Sequence, residues 1–125
     1  MPTYFHGTSE RSAFALLSGA PLDATVAREL STTGATGAFY LATDIDDALY
    51  LASLKGERYA VLSVDIDAGA QRDLAAAGCR LQPIPQAGKL VPFEGDEFVI
   101  SPSAYGIFDA LRAEGRIVFG AAEVD

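Results

Sequence analysis

The clearest pattern in this chain is the alternation of apolar and polar positions from Tyr59 to Asp67. Successive side chains of a β-strand point to opposite faces, so the segment predicts a strand with one buried face. That face would carry Ala60, Leu62, Val64 and Ile66. Shorter strands are predicted at Thr3 to His6, Ala38 to Ala42, Glu97 to Ile100 and Arg116 to Phe119.

Two helices are predicted in the first half of the chain from apolar residues spaced three and four apart. The first would begin after Thr8 or Ser9, which can cap it, and end near Ser18. The second would follow the capping residues Thr43 and Asp44. The expected apolar stripes are Ala13, Phe14, Leu16 and Leu17 on the first helix, and Ile45, Ala48, Leu49 and Ala52 on the second.

The second half predicts a short alanine-rich helix from Gln71 to Ala77 and another that opens at Ser101-Pro102. Loops are expected from residue 20 to 36, with a glycine-rich part at Ser31 to Gly37, and from Pro83 to Pro92. The last helix would bury Ala104, Ile107, Phe108 and Leu111. Strands and helices do not alternate regularly, so the fold class is expected to be α+β with largely antiparallel sheets.

Composition limits the organisation and the partners. The 125 residues, half of them apolar, fit a single domain over 1–125. A net charge of −8 repels nucleic-acid phosphates, which makes DNA or RNA an unlikely partner class but permits one dinucleotide in a local pocket.

Location and metal content are constrained by what the sequence lacks. The single cysteine, Cys79, can form neither an internal disulfide nor a zinc site, and no metal is expected. No stretch of about 18 apolar residues predicts a membrane span, and no signal peptide is recognised. A cytoplasmic protein is expected, or one delivered into the cytoplasm of a target cell by another route.

Three short segments carry candidate chemistry. The only histidine stands in His6-Gly7-Thr8 directly after a strand, where a glycine lets another group approach the backbone closely. Tyr40 lies in a strand that follows the glycine-rich loop. Glu97 opens a strand in which Phe98 and Ile100 take the opposite face, so its carboxylate would be held rigidly.

Tyr50 adds a second aromatic ring near Tyr40. It stands on the helix that follows the Tyr40 strand, about 140° around the helix from Ile45 at roughly 100° per residue. Two rings at such a strand–helix corner can hold a flat ring between them. A small residue, Ala48, stands two positions before Tyr50.

In this order and in these settings, the three segments resemble the His–Tyr–Glu signature of ADP-ribosyltransferases of the diphtheria-toxin and poly(ADP-ribose) polymerase type. The resemblance implies an NAD⁺ cleft between two packed, mainly antiparallel sheets with short helices around it. It implies that His6 bonds a ribose hydroxyl, that the Gly7 backbone pairs with the nicotinamide amide, and that Glu97 is the catalytic glutamate. His6 and Tyr40 complete the catalytic set, and NAD⁺ would contact His6, Gly7, Thr8, Tyr40, Ala48 and Tyr50.

The chain departs from this pattern at one contact. Poly(ADP-ribose) polymerases have a serine near the start of the second helix that bonds the nicotinamide amide. The nearest positions here are Asp47 and Ala48, and neither supplies a hydroxyl. The source of that hydrogen bond is therefore open.

The resemblance implies a mono-ADP-ribosyltransferase that breaks the nicotinamide–ribose bond. It also implies a role as a small bacterial toxin with an antitoxin or immunity partner. An acidic chain favours a protein or small molecule as acceptor. Three alternatives stay open: an NAD⁺ glycohydrolase, an RNA 2′-phosphotransferase, and a non-catalytic module that binds a nucleotide or a partner. The phosphotransferase shares a His-Gly-Thr motif but needs basic residues that Phe39 to Thr43 lack.

Overall fold

The computed structural model describes residues 2–22, 38–54, 56, 58–85 and 92–122. Within them, six strands form one antiparallel sheet in the order β4-β5-β2-β1-β3-β6. The strands are β1 (Thr3–Ser9), β2 (Phe39–Ala42), β3 (Tyr59–Ile66), β4 (Arg80–Pro83), β5 (Asp96–Ile100) and β6 (Ile117–Ala121). The predicted α+β class and antiparallel pairing are confirmed.

Four α-helices lie between the described strands. They are α1 (Glu10–Leu17), α2 (Ile45–Ser53), α3 (Ala68–Ala76) and α4 (Tyr105–Ala113), with a short 3₁₀ helix at Pro102–Ala104 before α4. None of the helices in the described ranges is long and apolar enough to cross a membrane.

In the described residues all strands belong to one sheet, so the expected pair of sheets is not confirmed. Within this sheet, β1 pairs with its two neighbours over very different lengths. β1 pairs with β3 along its full length, from Thr3↔Asp65 to Ser9↔Tyr59. It pairs with β2 only at Phe5↔Ala42. The described sheet therefore consists of two three-stranded halves, β4-β5-β2 and β1-β3-β6, that are joined at one position.

Each face of the sheet supports its own apolar cluster. The larger cluster packs Leu62, Val64 and Ile66 of β3 against residues of α1, α3 and α4. The smaller one lies on the opposite face beneath α2, where Val61 and Ala42 meet Ala48 and Ala52. We call these the α4 face and the α2 face, because they decide which side chains can share a site.

The predicted elements need three corrections. β1 does not end at His6 as predicted but continues through Gly7 to Ser9. α3 begins at Ala68 rather than Gln71, because the Asp67 side chain accepts the Ala70 N–H at 2.6 Å and caps the helix. β4 was not predicted: its last residue, Pro83, was placed in the expected loop, and Arg80 to Gln82 were assigned to no element.

Three apolar stripes were also partly wrong. On α4, Phe108 and Leu111 are buried as expected, whereas Ile107 is 40% exposed. On α1, Ala13 and Leu16 are buried, whereas Phe14 is 74% exposed and Leu17 46% exposed. On α2 the buried residues are Asp47, Ala48, Leu51 and Ala52, while Ile45 and Leu49 are only half-buried. The predicted loop at Ser31 to Gly37 lies outside the described residues, as does most of the irregular segment before it and the middle of the Pro83 to Pro92 loop.

Candidate functional site

His6 is a buried histidine with a defined orientation. It lies on β1, is 4% exposed, and stacks on the Phe39 ring at 4.2 Å between centroids with a 28° angle between planes. Its Nδ1 lies 2.9 Å from the carbonyl oxygen of Tyr40. A carbonyl oxygen can only accept, so Nδ1 carries a proton and donates it to this carbonyl. β1 and β2 pair only at Phe5↔Ala42, and the His6–Tyr40 hydrogen bond is a second link between the two strands.

Thr8 lies two residues further along β1, on the same face as His6. It is fully buried, and its Oγ1 has no hydrogen-bond partner within the described part of the chain. Buried hydroxyls in folded proteins normally have a partner. His6 and Thr8 together therefore place two polar side chains within the α4 face.

Gly7, between them, faces the other way and lies directly beneath α2. A Cβ added at Gly7 would collide with the Ala48 carbonyl and lie 2.9 Å from both the N and the Cβ of Ala52. The absence of a side chain at Gly7 therefore lets helix α2 pack closely against β1. Ala48, expected beside the ligand, is fully buried in this helix–strand contact.

Glu97 is a buried carboxylate near the start of β5. It is 1% exposed, and its neighbours across the sheet are Ala42 on β2 and Gln82 on β4. The Gln82 side-chain amide donates to Oε1 at 2.8 Å, and Oε2 has no partner among the described residues. Burial raises the pKa of Glu97 above its usual range, and the hydrogen bond from Gln82 offsets part of that increase.

Tyr40 shares a sheet face with Glu97. Glu97 pairs with Ala42 and Tyr40 pairs with Val99, so the two residues are diagonal neighbours on adjacent antiparallel strands. Such neighbours are about 7–8 Å apart. Tyr40 is half-buried, whereas Glu97 is 1% exposed, so the two side chains share a face but only Tyr40 reaches the surface.

His6 lies on the opposite face from that pair. The pairing Phe5↔Ala42 places Phe5 on the α2 face with Glu97, and alternation then turns His6 toward the α4 face. Of the three residues in the signature, the described structure brings Tyr40 and Glu97 to one face and leaves the His6 ring on the other. The link between His6 and the pair is the hydrogen bond to the Tyr40 carbonyl.

Tyr50 is on the same side of the sheet as Tyr40 and Glu97, because α2 covers that face. Its ring meets Phe93 edge-on, with centroids 5.7 Å apart and planes at 73°. Phe93 also lines a cleft of about 320 Å³ beside the start of β5. Tyr50 is therefore a half-buried aromatic residue near the segment that leads to Glu97.

Three polar residues at this site were missed from the sequence. Gln82 belongs to β4, a strand that the sequence did not predict. Asp47 lies in the first turn of α2, is 1% exposed, and accepts the backbone N–H groups of Glu94 at 2.9 Å and Gly95 at 2.7 Å. Its burial could have been inferred from Leu51, an apolar residue one turn along the same helix face. Thr43, assigned only as a cap, accepts the Asp96 N–H at 3.0 Å.

A metal site is not evident in the described ranges, which contain no group of three or more histidine, cysteine, aspartate or glutamate residues arranged to hold an ion. Comparison of the chain with protein-family models, with curated proteins and with solved structures gave no match. The assignment of a function therefore rests on the residues and their geometry.

Proposed function

We propose that this protein is a mono-ADP-ribosyltransferase that cleaves NAD⁺ at the bond between nicotinamide and ribose. The observation that carries the proposal is Glu97, a buried carboxylate fixed by Gln82 on the sheet face that also carries Tyr40. A buried carboxyl group with a perturbed pKa marks a candidate functional site.

The chemistry of the bond explains why one carboxylate is sufficient. Nicotinamide leaves as a neutral molecule, so no general acid is needed to protonate it. Positive charge develops on the ribose, as in other glycosidic cleavages. An ionised Glu97 would stabilise that charge and accept a hydrogen bond from a ribose hydroxyl through Oε2. Water is largely excluded there, which strengthens the attraction.

The ionisation state of Glu97 fits this role once NAD⁺ is bound. Burial raises its pKa and so disfavours the charged form in the free protein. The nicotinamide ring of NAD⁺ is positively charged, and an opposite charge nearby favours the ionised carboxylate. Substrate binding would therefore help to generate the form that the reaction needs.

The aromatic residues would hold the nicotinamide ring. Tyr40 shares the face of Glu97, and Tyr50 stands on the helix that covers this face. Each aromatic contact contributes about 0.5–1.5 kcal/mol beyond the area it buries. In this arrangement His6 acts through its hydrogen bond to the Tyr40 carbonyl, which fixes the strand that carries the ring.

The acceptor of the ADP-ribose is proposed to be a protein or a small molecule, since a net charge of −8 opposes nucleic acid. A toxin role, with an antitoxin or immunity protein as partner, follows from the resemblance alone. An NAD⁺ glycohydrolase would use the same residues with water as acceptor.

Two observations favour a second candidate, a non-catalytic module that binds a nucleotide or a partner. Helix α2 fills the space over Gly7, and the His6 ring lies on the face opposite to Glu97. Such a module would bind NAD⁺ without releasing nicotinamide under any condition.

An assay with NAD⁺ labelled in its adenosine half separates these functions. A transferase gives free nicotinamide and label attached to an acceptor, whereas a glycohydrolase gives nicotinamide and free ADP-ribose. Measurable NAD⁺ binding without nicotinamide release would support the non-catalytic module. Neither binding nor release, with or without a cell extract as the source of acceptor, would contradict the proposal.

A further inference from the structure

The segment just before Glu97 is held by side chains from the β2–α2 corner. Three consecutive backbone N–H groups, those of Glu94, Gly95 and Asp96, each donate to a side-chain oxygen. Asp47 accepts the first two and Thr43 accepts the third. Thr43 also donates its own N–H to the Asp96 carbonyl at 2.9 Å. Four hydrogen bonds therefore hold the backbone of Glu94 to Asp96, the segment that leads to Glu97.

The fit of this segment leaves little freedom. A Cβ added at Gly95 would collide with Thr43 Oγ1 and lie 3.4 Å from the Cβ of Asp44. Ala42, immediately before Thr43, is the residue that faces Glu97 across the sheet. One short stretch of chain, Ala42 to Asp47, thus sets both the register of Glu97 and the path of the backbone that leads to it.

A carboxylate suits this position better than other side chains. Its two oxygens can each accept one of two adjacent N–H groups, whereas an amide offers one oxygen. A carboxylate that is 1% exposed is strongly disfavoured unless it is hydrogen-bonded, and Asp47 has both bonds. It also lies in the first turn of α2, where the helix dipole stabilises negative charge.

We propose that Asp47, assisted by Thr43, is a positioning residue that holds Glu97 at the orientation needed to stabilise charge on the ribose. Asp47 itself does not touch the substrate. The carboxylate of Glu97 acts mainly in the transition state, so its displacement lowers kcat and leaves KM for NAD⁺ nearly unchanged. A displacement of about 1 Å can lower the rate roughly 100-fold.

The test compares Asp47→Asn with Asp46→Asn, which changes the neighbouring exposed aspartate in the same helical turn. Asp47→Asn keeps the shape of the side chain but only one acceptor. We expect kcat to fall roughly 10- to 100-fold with KM changed less than about twofold, and Asp46→Asn to resemble the unchanged protein. The proposal would be overturned if kcat fell by the same factor in both variants, or if kcat of Asp47→Asn were unchanged.

The kinetic part rests on the proposed function, so a second readout is independent of catalysis. The carboxyl of Glu97 is titrated by carbon NMR, with its signal assigned from the Glu97→Gln spectrum, and amide exchange is followed at Glu94 and Gly95. In Asp47→Asn we expect the amides of Glu94 and Gly95 to exchange faster, because they lose a hydrogen bond. We also expect the titration midpoint of the Glu97 carboxyl to shift toward the ordinary value of a glutamate, because water reaches the loosened group. Unchanged exchange and an unchanged midpoint would overturn the positioning role.

These readouts distinguish the two failures. If Asp47→Asn shifts the titration but the unchanged protein releases no nicotinamide, the proposed function fails and the positioning role stands. If Asp47→Asn does not fold, Thr43→Val removes one hydrogen bond at constant shape and is measured in the same way. A Thr43→Val protein with unchanged kcat, exchange and titration would then contradict the proposal.

Discussion

The Gln82 side-chain amide donates to Oε1 of Glu97 across 2.8 Å, from the neighbouring position of the adjacent edge strand. This hydrogen bond favours the ionised carboxylate, whereas burial favours the protonated form and has the larger effect on the pKa. Gln82 therefore tunes the residue on which the proposed chemistry depends.

Replacing Gln82 should shift the pH dependence of activity. Gln82→Leu removes the hydrogen bond that lowers the pKa of Glu97, so the pKa rises further. Because the ionised form is the active one, the acidic limb of the kcat profile should move to higher pH. The control is Leu81→Ala, which changes an exposed residue on the opposite face of β4. A limb that stays in place or moves to lower pH would contradict the assignment.

Glu97 should also reduce the stability of the folded protein at neutral pH. Its pKa is higher in the folded than in the unfolded state, so the folded state binds more protons between these two pKa values. The free energy of unfolding therefore falls as the pH rises from the lower pKa to the higher one. Glu97→Gln removes that effect and should raise the free energy of unfolding at neutral pH by about 0.5–2 kcal/mol, as removal of strained functional groups commonly does. Urea denaturation at several pH values measures this, and the gain should disappear in acid. A variant that is less stable at neutral pH would refute this prediction.

Gly7 should be intolerant of a side chain. Gly7→Ala places a methyl group against Ala52 and the Ala48 carbonyl, so β1 and α2 must separate. We expect a loss of about 1–3 kcal/mol, as for other overpacked sites. The matched control is Gly106→Ala in α4, where a Cβ meets nothing within 4 Å and should add roughly 0.5–1 kcal/mol through helix propensity. Equal effects of the two variants in thermal denaturation would contradict the packing described for α2.

Tyr40 should contribute to NAD⁺ affinity. Tyr40→Ala removes the ring on the Glu97 face and should weaken binding by at least 0.5–1.5 kcal/mol, or about 2- to 12-fold. Tyr59→Ala is the control, because Tyr59 is 38% exposed and lines a different cavity. Calorimetric titration with NAD⁺ measures both, and equal affinities would remove Tyr40 from the site.

The sequence predicted those features that depend on local patterns. Alternation within Tyr59 to Asp67 and within Glu97 to Ile100 assigned the correct faces to β3 and β5, because the period of a strand is a local property. Helix caps at Ser9 and Asp44 were also predicted and are confirmed by their side-chain hydrogen bonds to Ser12 and Asp46.

Features that depend on distant contacts were not predicted. The face of His6 relative to Glu97 is set by the pairing of Phe5 with Ala42, and no local pattern specifies that register. The burial of Asp47 likewise depends on two backbone amides nearly fifty residues away along the chain. The signature therefore predicted which side chains are candidates. Only the strand pairing shows that His6 lies on one face of the sheet and Tyr40 and Glu97 lie on the other.

The most direct test of the account is the rate of nicotinamide release by Glu97→Gln, measured beside Glu94→Gln, which changes an exposed carboxylate three positions earlier. NAD⁺ affinity is measured calorimetrically on the same samples. The account predicts that Glu97→Gln lowers kcat roughly 100- to 1,000-fold while NAD⁺ affinity changes little, and that Glu94→Gln retains its activity. Nicotinamide release by Glu97→Gln at the rate of the unchanged protein would contradict the central role assigned to Glu97.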